Sequence, residues 1–208
     1  MMKSAEYIRV SKSQQRNCRK VMEAVMKICH NPENETVVHS IAPVWNGESR
    51  VLILGTMPSP KSREQGFFYM HPQNRFWTVL PKVFGETLLH PNKSMDIESA
   101  VNERRDFLLR HKLALWDVLA SCSIKGASDS SISCEIPNDF MPIFRGAKIS
   151  NVFFTGKTAY NIWKKLCAEL YEKEFNLTCR CLPSSSPANA RFSVDMLMEE
   201  YSAIKKCL

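Results

Sequence analysis

Four runs of mostly apolar residues are spread along the chain, at 50–55, 113–119 (LALWDVL), 149–156 (ISNVFFTG) and 177–184 (LTCRCLPS). Runs of this length, bounded by turn residues, predict strands buried on both faces. Between them, apolar residues return every three or four positions. That period predicts helices over 74–84, 97–111, 157–171 and 191–206, and a shorter one near 137–145. In 97–111 the apolar face is Ile97, Val101, Phe107 and Leu108; in 157–171 it is Ile162, Trp163 and Leu166. Strand and helix alternate, which predicts an α/β three-layer sandwich with a mostly parallel four-stranded central sheet flanked by helices.

Upstream, Val21, Met22, Val25, Met26 and Cys29 give a helical period over 13–30, ended by Asn31-Pro32. Residues 31–40 read as a polar connector and 121–135 as a serine-rich loop. The chain therefore divides into a basic helical extension, 1–40, and one domain, 41–208.

Charge adds a partner class. The formal net charge is +7, and residues 1–30 hold seven lysines and arginines against Glu6 and Glu23. A basic arm beside a nearly balanced domain fits a polyanionic partner, and equally a solvated, solubilising terminus. No apolar stretch reaches the ~18 residues of a membrane helix, and the start lacks a secretory signal. The expectation is an intracellular protein that does not engage a membrane, nuclear in a eukaryote or cytoplasmic in a bacterium, acting as a monomer. Eight cysteines are scattered with no C-x-x-C pair. They are expected to be free thiols, with no metal and no cofactor.

Three strand tips carry distinctive turns: Gly55-Thr56-Met57-Pro58, Gly156-Lys157-Thr158 and Pro183-Ser184-Ser185-Ser186-Pro187. A sheet of this kind binds ligands at such tips. The Gly-Lys-Thr turn lacks the upstream glycine of a phosphate-binding loop, whose place falls inside the strand; its glycine ends a strand and its threonine caps a helix. No G-x-S-x-G surrounds the serines. The first turn holds no Asp, Glu, His or Cys, so a reactive side chain must come from elsewhere. The segment 68-FYMHPQNRFW-77 is the candidate. Phe68, Tyr69 and Asn74 combine rings with one amide, which suits a flat heterocycle held by stacking and read at its edge. Phe76 and Trp77 are expected in the core, and His71 as a structural residue.

GTMPSPKSREQGFFYMHPQNRFW, followed downstream by LPSSSPANA, resembles the uracil-DNA glycosylase superfamily, most closely its hypoxanthine-DNA glycosylase branch, with kinship to the mismatch-specific uracil glycosylases. The resemblance runs from about Val51 to the C terminus. It implies a monofunctional DNA glycosylase that removes hypoxanthine or uracil, acts on DNA holding deaminated or mismatched bases, and starts base excision repair. In the superfamily the third residue of the first turn is an acid or amide that positions the attacking water; here it is Met57. In the hypoxanthine-type branch the task passes to an asparagine, which makes Asn74 the catalytic residue. Gly55, Thr56, Met57, Pro58, Phe68 and Tyr69 would bind the base, with Tyr69 stacking on it. Ser59, Lys61, Ser62, Arg63, Ser184, Ser185, Ser186, Pro187, Asn189 and Arg191 would hold DNA, and 185–189 would probe the duplex. Leu182 stands where the superfamily has a histidine or asparagine. The absences at Met57 and Leu182 keep open a non-catalytic nucleic-acid-binding module on the same fold. An unrelated nucleotide-binding α/β enzyme is the third reading.

Overall fold

The computed structural model describes residues 35–90, 95–125 and 131–208. In chain order the elements are β1 (Glu35–Val38), β2 (Val51–Gly55), α1 (Pro60–Glu64), α2 (Phe76–Val83), α3 (Ile97–Arg110), β3 (Leu113–Asp117), β4 (Leu119–Ile124), β5 (Ser133–Pro137), α4 (Met141–Gly146), β6 (Asn151–Thr155), α5 (Lys157–Leu166), α6 (Ala168–Tyr171), β7 (Thr178–Leu182) and α7 (Val194–Lys205).

The central sheet has the order β3-β2-β6-β7, all parallel. Every residue of β2 is buried, as a strand with helices on both sides must be. Its side chains alternate between two cores. Val51 and Ile53 face one layer with Leu80 of α2, Phe107 of α3 and Tyr201 of α7. Leu52 and Leu54 face the other with Phe144 of α4, Ala159 and Trp163 of α5 and Tyr171 of α6. The expected sandwich is therefore present. Because all four strands run the same way, their carboxyl ends meet at one edge. The chain order reverses at β2, which has β3 on one side and β6 on the other, and that reversal opens a crevice at the tips.

The structure corrects the sequence reading in several places. The supposed connector 31–40 contains β1, and the supposed loop 121–135 contains most of β4 and the start of β5. These strands form a second, antiparallel sheet in the order β1-β4-β5, with Val37 opposite Cys122. Leu119, Cys122, Ser123 and Ile124 of β4 are buried, but two serines among its six residues break the apolar pattern and hide the strand. The strand expected over 113–119 stops at Asp117, where Val118 donates its N–H to Gly55 O at 2.8 Å and turns the chain into β4. The helix expected over 157–171 breaks at Cys167, whose φ is −122°. Thr158 is not its cap: Gly156 holds that position, with no side-chain capping bond. Cys122, Cys167, Cys179, Cys181 and Cys207 are free thiols, whereas Cys134 is disulfide-bonded. The helix predicted at 13–30 lies outside the described residues.

Candidate functional site

A cavity of ≈ 510 Å³ sits at the carboxyl edge of the central sheet. It takes Gly55 from the end of β2, Asp117 from the end of β3, Thr155 from the end of β6 and Ser184 from just beyond β7. Of the residues singled out by sequence, Gly55, Thr56, Met57, Pro58, Ser59, Ser62, Arg63, Phe68, Tyr69, Asn74, Ser184, Ser185, Ser186 and Asn189 all line it. Lys61, Pro187 and Arg191 do not: Lys61 pairs with Glu64 at 2.8 Å, and Pro187 and Arg191 are exposed. His71 is also off the wall; its Nδ1 accepts from Gln73 N–H at 3.2 Å, a local structural bond.

Short polar bonds shape the first turn. Ser59 caps α1, its hydroxyl accepting from Ser62 N–H at 3.3 Å. Ser62 Oγ then accepts from Met70 N–H at 3.1 Å, which ties the turn to the aromatic segment. Arg63 donates to Pro58 O at 3.2 Å.

Gly55 is obligatory here. A Cβ at that position would lie 2.3 Å from Asp117 Oδ1 and 2.8 Å from the Tyr69 hydroxyl. Those two side chains therefore cross directly over the glycine. Tyr69 has a φ of 56°, a left-handed backbone that costs a tyrosine of order 1–3 kcal/mol. Its ring lies 4.0 Å from Phe76, nearly parallel at 13°, and Phe76 is fully buried. Thr155 donates to Leu54 O at 3.3 Å, so its oxygen accepts the Tyr69 hydroxyl proton at 2.7 Å. The tyrosine is thus fixed at both its ring and its hydroxyl. Phe76 and Trp77 belong to the core, as their spacing predicted.

Across the cavity the wall is the loop 184–189. Arg75, the residue after Asn74, holds it. The backbone N–H and Nε of Arg75 donate to Ser185 O at 3.1 and 3.3 Å. Its Nη2 donates to Ser186 O at 2.7 Å and Asn189 O at 2.9 Å, and its Nη1 to Phe192 O. Asn74 adds a side-chain link: its Oδ1 accepts from Phe76 N–H at 2.9 Å and from Ser185 Oγ at 3.0 Å. Asn189 Nδ2 donates back to Ser184 O at 2.9 Å. Below the loop the Tyr201 hydroxyl donates to Pro183 O at 3.0 Å, and burial pushes its pKa up. Leu182 is buried in the core among the residues around Tyr201, so it offers the cavity nothing. Gly156, with a φ of 119°, lets this loop approach; a Cβ there would press on Ser184 Cβ at 3.3 Å.

Asp117 and Thr155 line the cavity without having been marked by sequence, and Thr158, expected only as a helix cap, lines it too. Among the described residues, Asp117 is the one carboxylate on the wall. The signal was an acid closing the apolar run LALWD at a strand tip. Its partner, His39, is 78 residues away and was invisible to spacing. No group of three His, Cys, Asp or Glu able to hold a metal occurs among the described residues. No helix there is long and apolar enough to cross a membrane.

Comparison with known proteins agrees with this geometry. The family model described as the Uracil DNA glycosylase superfamily matches residues 42–203. A hypoxanthine DNA glycosylase from Methanosarcina acetivorans is 32% identical over 151 residues, covering 72% of this chain and 87% of that protein. One from Methanosarcina barkeri is 33% identical over 150 residues, with 72% and 86% covered. A solution NMR structure from Methanosarcina acetivorans, solved as a candidate uracil DNA glycosylase, superposes with a TM-score of 0.63 at 26% identity. It spans 82% of this chain and 99% of that one.

Proposed function

The chain belongs to the Uracil DNA glycosylase superfamily and is a DNA glycosylase; we propose that it hydrolyses the N-glycosidic bond of deaminated bases in DNA, hypoxanthine and uracil, without cutting the strand. The observation that carries this reading is the cavity at the four strand tips, floored by a fixed tyrosine ring and rimmed by hydroxyls. It has the polarity and size to take one extruded base.

The nucleotide leaves the stack at a cost of a few kcal/mol, least for a mismatched base. Tyr69 offers a ring already locked by Phe76 and Thr155, so little freedom is lost when a base packs on it. Bond breaking makes the sugar oxocarbenium-like and leaves negative charge on the base. Backbone N–H groups of Thr56, Met57 and Ser59 act as donors to that charge. Asn74 positions the water. An oxocarbenium ion needs little nucleophilic activation, so an amide that orients water suffices where Met57 offers nothing. Ser59, Ser62, Ser184 and Ser186 clamp phosphates, with Arg63 beside them. Lys61 and Arg191, outside the cavity, add salt-dependent affinity. No lysine among the described residues lines the cavity, which argues against a Schiff base and for removal of the base alone.

The test is a gel assay on end-labelled oligonucleotides carrying deoxyinosine, uracil, xanthine or a T·G mismatch, with alkali added after the enzyme. Alkali-dependent cleavage at deoxyinosine, lost in Asn74→Ala with DNA binding retained, is the expected result. Met57 on the wall and Leu182 in the core favour one other reading, a DNA-binding module without chemistry. DNA bound with no base released from any substrate would select it.

A further inference from the structure

We propose that Ser185 is a positioning residue for base removal: its hydroxyl, together with Phe76 N–H, occupies the Asn74 amide oxygen and so sets the NH2 end of that amide toward the reacting water. It rests on the glycosylase reading above and deepens it, by fixing which end of the amide acts. It also reassigns a serine that the motif alone places against DNA.

Ser185 stands apart from the serines on either side of it. Ser184 and Ser186 are half-buried, and each hydroxyl accepts a backbone N–H from two residues on: Ser184 from Ser186 at 3.2 Å, Ser186 from Ala188 at 3.3 Å. A hydroxyl that accepts in this way keeps its own proton to give, which suits a phosphate. Ser185 is 1% exposed and directs its proton inward, to Asn74 Oδ1 at 3.0 Å. A duplex cannot reach that hydroxyl without opening the loop. Consecutive residues fix both ends of this serine. Arg75 donates to its carbonyl from the backbone N–H and from Nε, at 3.1 and 3.3 Å, and Asn74 takes its hydroxyl.

The second bond to the Asn74 side chain comes from Phe76 N–H, at 2.9 Å. A backbone N–H can only donate, so the atom that meets it is the oxygen, and the two ends of the amide are not interchangeable here. An amide oxygen has two lone pairs. Both are taken, one from the floor of the cavity through Phe76 and one from the loop through Ser185. Any further partner of the amide therefore meets Nδ2, a donor. A water that accepts from Nδ2 uses one lone pair and keeps the other for C1′ of the sugar. Its oxygen bonds to C1′ as the base departs with the electrons of the N-glycosidic bond. The water then loses one proton to solvent, and the base anion takes one up. The amide moves no proton, in keeping with an oxocarbenium ion that needs little activation of its nucleophile. Without the Ser185 hydroxyl, one lone pair of Oδ1 opens. The oxygen then becomes a second, competing site for the water, displaced from the first.

The experiment compares full-length variants at about pH 8, where a carboxylate is ionised. Single-turnover base release from a deoxyinosine duplex reads the chemical step. Affinity for the 2′-fluoro analogue, which resists hydrolysis, reads binding. S185A is expected to release base about tenfold more slowly, with affinity within about twofold. In the N74A background the same change should alter the residual rate by less than about twofold, because no amide is left to set. N74D keeps both bonds to Oδ1 but presents an oxygen where the NH2 stood, and is expected to lose at least about tenfold in rate. S185A at the wild-type rate would overturn the proposal. So would equal slowing by S185A in both backgrounds, which marks a loop defect, and so would N74D at the wild-type rate. Nitrogen relaxation of the Asn74 side-chain amide, identified by its loss in N74A, reads the same positioning without turnover. Its order parameter is expected to fall from about 0.85 to below about 0.6 in S185A. An unchanged order parameter overturns the proposal. If wild type releases no base from any duplex while S185A still loosens the amide, the glycosylase reading fails and the positioning of Asn74 stands.

Discussion

Around Gly55 the cavity wall consists of side chains that arrive from adjacent strands and lock one another; opposite, along 184–189, it consists of backbone held by a single guanidinium. The Gly55 side is packed: Tyr69 on Phe76, Asp117 on His39, and both over a glycine that leaves no spare volume. The loop side buries Ser185 and little else, and its order comes from hydrogen bonds radiating from Arg75 and Asn74. Packing of the first kind resists deformation because every displacement opens a void or a clash. A hydrogen-bonded loop can exchange its bonds for others. The difference suits a floor that recognises a base and a loop that must yield as a nucleotide enters.

Arg75→Ala tests the contrast hardest. It removes the side-chain donors to the carbonyls of Ser185, Ser186, Asn189 and Phe192, and a loss of about 3 kcal/mol is expected from bonds to a charged donor. Arg75→Lys should restore little, since one ammonium cannot span that set. Urea denaturation gives the total, and hydrogen exchange should show the new openings confined to 184–192. Exchange spread equally into β2 and β3 would mean that the two walls are one unit.

Gly55→Ala addresses the floor. The added Cβ would drive Asp117 and Tyr69 off their positions, and displacements of about 1 Å cost catalysis on the order of 10²-fold. Steady-state assay with deoxyinosine substrate checks it. A variant as active as wild type would show that the floor adjusts as readily as the loop.

Asn74→Ala touches both walls, because the amide binds Phe76 on one side and Ser185 on the other. Activity is expected to fall on the order of 10²-fold with DNA affinity within about twofold, the signature of a lost transition-state contact. Equal losses in binding and turnover would assign Asn74 to loop positioning instead.

Tyr201→Phe is the smallest change. Removing the hydroxyl leaves Pro183 O without that donor and should cost about 1–2 kcal/mol. Burial holds the Tyr201 pKa above its usual value of 10.0. A group raised in the folded state stabilises below its unfolded pKa and loses that contribution as pH rises. Wild-type stability should therefore decline above about pH 10 more steeply than that of the variant, as thermal melts across that range would show.

Much of this architecture was legible in the residue order. β2 reads VLILG because a strand covered on both faces has no polar side, and the same holds for the apolar runs of β3 and β6. The small antiparallel sheet was not legible. β1 buries only Val37 and β4 sets two serines among its apolar residues, so they read as loop. In the site, the segment from Phe68 to Asn74 announced itself by composition, but Asp117 looked like the end of a strand. Thr158 looked like a helix cap.

The sequence by itself determined the four central strands and most of the helices that cover them, and that aromatic, amide and serine-rich turns would crowd one edge of the sheet. These are local properties, written in the period of apolar residues and in the chemistry of neighbours. Tertiary structure alone decided that His39 turns Asp117 toward the cavity, and that Arg75 grips carbonyls more than a hundred residues downstream. Those bonds join residues whose separation along the chain carries no information about their meeting. Only the stacking of β3, β2, β6 and β7, tip beside tip, brings them within reach.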